Sequence, residues 1–139
     1  MIVSPQDVGW YTTPIFENYG LADKTEFTTE EFFALYDVYS GLWTVDTNKS
    51  TITNLQSQLS SLTAQQTNLT AQQTSLTAQI AAASDADKPA LQTQLDNVNT
   101  QLTSINSQIT SINTQITTLK TQNNTLLTGM GLTSYVVPV

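Results

Sequence analysis

Apolar residues recur along most of the chain in alternating steps of three and four. One series runs Ile52, Leu55, Leu59, Leu62, Leu69, Leu76, Ile80, with Gln66 and Gln73 in two places where the rhythm calls for an apolar residue. A second runs Leu91, Leu95, Val98, Leu102, Ile105, Ile109, Ile112, Ile116, Leu119, Leu126, with Asn123 in one such place. Strands alternate by two, and three-four steps break that parity. The pattern is the heptad seam of helices that pack on one another. The repeat is visible in the letters SLTAQQT, NLTAQQT and SLTAQIA, and again in INSQITS and INTQITT.

The two series are out of phase. Continued from Ile80, the first would place its next seam residues at Asp87 and Gln94, but the second begins again at Leu91 and Leu95. Between them stands Ala83-Ser84-Asp85-Ala86-Asp87-Lys88-Pro89. Proline disfavours helix at the residue before it, and an aspartate followed by proline reads as a cap and first turn. The sequence therefore predicts an all-α fold: a long coiled-coil helical hairpin, with one continuous trimeric coiled coil as the alternative. The segments expected are a head at 1–49 with a helix from about 29, a first coiled-coil helix at 50–83, a turn at 84–88, a second helix at 89–127 and an extended tail at 128–139. If facing residues sum to 171, Ile80 meets Leu91, Leu76 meets Leu95, Leu69 meets Leu102, Leu62 meets Ile109 and Ile52 meets Leu119. In that register Gln66 faces Ile105 and Gln73 faces Val98, so both glutamines need polar partners, within the chain or across a subunit interface; a buried amide without one costs about 1–3 kcal/mol.

The head differs in kind. Ten of the eleven aromatic residues lie between Trp10 and Trp43. Phe27-Thr28-Thr29-Glu30-Glu31-Phe32 carries a capping box, with Thr28 as N-cap, Glu31 three residues later and Phe27 with Phe32 as the hydrophobic staple. Gly41 and Asp46-Thr47-Asn48 weaken the helix that starts there, so a bend or break is expected at 41–50. Gly129 and Gly131 are placed to end the last helix. Tyr135–Val137 is expected to pair beside Ile2-Val3. Trp10, Tyr11, Phe16, Tyr19, Phe32, Tyr36 and Trp43 form either a small core or a docking surface, because about 45 residues bury too little apolar area to fold without help.

Composition narrows the chemistry. The 139 residues hold 11 acids against 4 basic residues and no histidine or cysteine, a net charge of −7. All four basic residues are lysines. No thiolate, no imidazole ligand and no histidine base is present, which removes the usual nucleophilic triads and most zinc sites. Four lysines without arginine make a poor phosphate-tracking surface, so no nucleic-acid partner is expected. No run of 18 apolar residues exists, so no membrane-spanning helix is expected, and the first residues lack the basic and apolar stretches of a secretory leader. Glu30 and Glu31 sit where acids favour a helix start. Asp85, Asp87 and Asp96 lack the glycine and twelfth-position glutamate of a calcium loop, so a turn role is expected rather than a cation site. No catalytic residue, cofactor or metal is predicted.

Residues 50–84 carry no charge, and 45 of the 77 residues from 51 to 127 are Thr, Ser, Asn or Gln. Such residues are mediocre helix formers, Thr and Asn costing up to ~0.7 kcal/mol each relative to Ala. Burial of the seam, at roughly 1.5–3 kcal/mol per fully buried Leu or Ile, must supply the stability. Isoleucine at both seam positions of the second helix favours trimers or tetramers. Gln66, Gln73 and Asn123 then read as layers that set register and oligomer state.

The segment from about 50 to 127, with SLTAQQTNLTAQQTSLTAQI and TSINSQITSINTQITTL as its most telling letters, resembles the coiled coils of tailed-bacteriophage virion proteins: fibres, tail adaptors and baseplate parts. The resemblance implies a non-enzymatic structural protein of the virion, with an N-terminal region docked on other virion proteins and a trimeric helical stalk. No β-rich tip follows the helices in this sequence, and host recognition is outside what the resemblance implies. The alternative from another class is a secreted or membrane-active helical-hairpin adhesin or pore-type protein. Against it, neither helix has a basic face to meet anionic lipid.

Overall fold

The computed structural model describes residues 2–3 and 27–129, with side chains from residue 40 onward. The described residues are helical apart from one short strand pair and the turn at 83–87. β1 (Ile2–Val3) and β2 (Phe27–Thr28) are antiparallel, with Ile2 opposite Thr28 and Val3 opposite Phe27. The strand partner of Ile2-Val3 is thus the stretch just before the first helix. Tyr135–Val137, expected beside it, lies outside the described residues.

Helix α1 spans Thr29–Ala82 and helix α2 spans Lys88–Gly129. The two pack as a hairpin, which replaces the alternative of one continuous rod. α1 begins directly after Thr28, the residue expected to cap it. It then runs without interruption through 41–50, where the sequence predicts a bend. The reason is tertiary. Leu42, Val45 and Ile52 are fully buried on this stretch. Their burial outweighs the roughly 1 kcal/mol that a helical glycine costs. Thr44 and Thr51 also donate their hydroxyls to the carbonyls of Ser40 and Thr47, one turn back.

The turn occupies 83–87. The amide of Ala83 donates to the Ile80 carbonyl at 3.3 Å, tightening the end of α1, and the Asp87 and Lys88 amides both donate to the Ser84 carbonyl at 3.0 and 3.1 Å. The Ser84 hydroxyl donates to the Asp87 carboxylate at 2.9 Å. The Asp87 carbonyl accepts the Leu91 amide at 3.4 Å, the first bonds of α2. Pro89 falls where a helical N–H has no partner, so its missing donor costs nothing.

The chain divides into two compact units, residues 1–53 with 118–139, and residues 54–117. In the second unit Leu69, Leu76, Val98, Leu102 and Ile105 form the buried core, with Leu62, Leu91, Leu95 and Ile109 packed against it half-buried. Leu55, Ile112 and Ile116 are buried as well, while Leu59 and Ile80 are half-buried. In the first unit the fully buried side chains are Leu42, Val45, Ile52, Leu127 and Asn123. Leu119 is half-buried. Beyond Asn123 it is Leu127 that is buried, not Leu126 of the expected series. A helix of 3.6 residues per turn drifts against a 3.5-residue repeat, and an added step of four restores the inward face.

Candidate functional site

The sequence offers amides, hydroxyls and aliphatic side chains, and the hairpin arranges them in two sets. The first set crosses between the helices. Within residues 54–117, Gln66 Nε2 donates to Asn106 Oδ1 and Gln73 Nε2 donates to Asn99 Oδ1, both at 2.7 Å. In the other unit Asn48 Nδ2 donates to Asn123 Oδ1 at 2.9 Å, and Asn123 Nδ2 donates to the Val45 carbonyl at 3.3 Å. Asn123 is 1% exposed and both ends of its amide are engaged. The polar residues of the seam therefore find their partners inside one chain. No buried side-chain nitrogen or oxygen among the described residues lacks a partner.

Asn48, Asn99 and Asn106 are partners that the heptad reading does not name. A signal for two of them is present: Asn99 and Asn106 each directly follow a seam residue, Val98 and Ile105, that faces a glutamine in the 171 register. Register arithmetic pairs Cβ positions. A glutamine carries its amide two bonds further and reaches the neighbour beside the seam.

The second set closes on each helix itself. Thr63, Thr67, Thr70, Thr74 and Thr77 of α1 all donate their hydroxyls to the carbonyl four residues back, at 2.8–3.0 Å. Thr100, Thr103, Thr110, Thr114 and Thr117 of α2 do the same at 2.9–3.0 Å. A threonine bonded in this way keeps its hydroxyl on its own helix. Gln79, Gln108 and Gln115 donate to the serine one turn before, Ser75, Ser104 and Ser111. On α2 Gln92 likewise donates to the Asp96 carboxylate four residues on, so many polar groups of these helix surfaces are satisfied locally.

No described group of three His, Cys, Asp or Glu side chains is placed to hold a metal ion. Of the turn acids, Asp87 holds the Ser84 hydroxyl, and exposed Asp85 lies 3.7 Å from Lys88, a surface pair of little energetic weight. Hollows on the described surface are open grooves, such as the one lined by Gln73, Thr77, Ala78, Leu95 and Asn99. No described helix is long and apolar enough to cross a membrane. Of the aromatic docking candidates, Trp10, Tyr11, Phe16 and Tyr19 lie outside the described residues, Phe32 and Tyr36 lie on the first turns of α1, and Trp43 is 58% exposed. Trp43 is a single exposed indole among the described residues, with Leu42 and Val45 turned into the core beside it in sequence. No protein-family model, no curated protein and no solved structure matches the chain.

Proposed function

We propose that this chain is a non-enzymatic structural protein of a bacteriophage particle, a short fibre, tail adaptor or decoration subunit. In this reading the hairpin is a coiled coil that joins three copies, with α2 and its Ile105, Ile109, Ile112 and Ile116 innermost. The aromatic head, including Trp43, docks on neighbouring virion proteins, and neither nucleic acid nor membrane is a partner.

The observation that carries the reading is the chemistry of the helix surfaces. Many threonine hydroxyls bond the chain's own backbone, and Gln66 and Gln73 bond across the helices, so a surface almost free of charge is suited to assembly by packing. The half-burial of Leu62, Leu91, Leu95 and Ile109 supports assembly, since two helices cover these side chains only in part. The amide pairs do not add to that support, because Gln66 and Gln73 need no second chain.

Light scattering gives the solution mass and sedimentation the shape. Three chains per particle is the expected result. A monomer at all concentrations refutes the trimer. Peptide mass spectrometry of gradient-purified virions tests the location, and absence of the chain from the particles refutes the virion assignment.

A further inference from the structure

We infer that the Asn48–Asn123 pair, a half-buried amide bonded to a buried one, is the register lock of the hairpin. The repeat that builds the helices also makes them slippable. Moving one helix past the other by seven residues restores a seam, because apolar residues recur at that spacing on both sides. Leu69, facing Leu102 in the native register, then faces Ile109 or Leu95.

The two glutamine pairs tolerate the slip as well. Asparagines stand at 99, 106 and 113, seven apart. Gln66, bonded to Asn106, would find Asn113 in one direction and Asn99 in the other. Gln73, bonded to Asn99, would find Asn106 or Gln92. The turn permits one direction too, since that slip centres it on Pro89, a residue that turns accept.

Asn48 and Asn123 break the degeneracy. Asn123 holds both Asn48 and the Val45 carbonyl and is 1% exposed. A slip in one direction sets Asn123 opposite Leu55, and in the other it sets Asn48 opposite Ile116. Either way the buried Asn123 amide loses both Asn48 and the Val45 carbonyl, which disfavours the slipped form by about tenfold or more. A single buried polar layer selecting one register among equivalent apolar ones is a known use of asparagine in helix seams. The lock acts within one chain, whatever the assembly that chain joins.

The test uses the absence of native cysteine. Exposed Ala64 and Gln94 are replaced by Cys (A64C, Q94C) and spin-labelled, and the labelled chain is diluted into unlabelled chain so that only intrachain distances appear. These positions are offset along the hairpin, and a heptad slip changes their separation by about 10 Å. The parent is expected to give one distance. Asn48→Leu with Asn123→Leu keeps the seam apolar, so the fold survives, and a second distance is expected with its population raised about tenfold or more. Asn99→Leu with Asn106→Leu is expected to keep the single distance. A single distance in the Asn48/Asn123 variant overturns the inference, as does an equal split in the Asn99/Asn106 variant. Loss of helical signal in the Asn48/Asn123 variant also overturns it, because a register lock is dispensable for helix formation.

Discussion

Leu102→Ala measures what the hairpin core contributes. Leu102 sits among Leu69, Leu76, Val98 and Ile105 and is 9% exposed. The change removes three carbons, each worth about 0.8 kcal/mol on burial, or roughly 2 kcal/mol for a side chain so nearly enclosed. In a thick core a cavity term adds to this, and Leu→Ala costs about 2–5 kcal/mol. A seam two helices thick opens to solvent on both flanks, so the gap fills and the cost stays near the lower bound. Leu62→Ala, at a half-buried position packed against the same cluster, should cost about half as much, near 1 kcal/mol. Thr103→Ala removes a hydroxyl that bonds only its own helix and replaces threonine by a better helix former, so it should fall within about 0.5 kcal/mol of the parent.

Urea unfolding followed by circular dichroism at 222 nm gives all three values. Leu102→Ala indistinguishable from Thr103→Ala refutes the core assignment. The same series reports on assembly. If a second copy covers the seam, Leu62→Ala rises to the cost of Leu102→Ala, and the unfolding midpoint becomes dependent on protein concentration.

Two further outcomes are expected. Helix content should change little between low and high salt, because residues 50–84 hold no charge and the Asp85–Lys88 pair is exposed; a marked loss of the 222 nm signal in salt contradicts this. Pro89→Ala should leave stability within about 0.5 kcal/mol, whereas Asn97→Pro in the interior of α2 should cost about 3 kcal/mol or more in thermal unfolding; equal effects of the two would contradict the placement of the helix start.

The hairpin and the residues of its core are legible from apolar spacing because, with Gln66 and Gln73 as interruptions, the three-four steps hold from Leu55 to Ile80 and again from Leu91 to Ile116, and the phase slips by one residue at the turn. Local propensity is less reliable nearer the head. Gly41 and Asp46-Thr47-Asn48 are poor helix residues, yet Leu42, Val45, Asn48 and Ile52 form their own inward series, and burial of Leu42, Val45 and Ile52 keeps α1 continuous. The series is readable in the letters, but glycine masks it. The polar seam is half legible. The need of Gln66 and Gln73 for partners follows from their positions, while the identity of those partners depends on side-chain reach, which a register of Cβ atoms does not contain.

Charge is the usual means by which paired helices choose partner and alignment, through residues flanking the seam. Over residues 50–84 the first helix has none, and Asp96 and Lys120 are the only charges of α2 beyond its first residue: glutamine, threonine and asparagine occupy most of those flanks, and most of their polar groups with a described bond close on the same helix. Local closure makes the helices self-sufficient, and for the same reason the flanks say little about which residues should meet. Selectivity must then come from inside the seam or from the turn. The turn, five residues long and held by Ser84, fixes the direction of return, and proline at 89 is a residue that a shifted bend would accept. The seam itself repeats at seven. What remains is a position where the repeat fails, and Asn123 is that position on α2: it replaces an aliphatic residue, bonds the only asparagine that faces it on α1, and is nearly inaccessible to water, so its amide discriminates between registers that the apolar layers treat as equal.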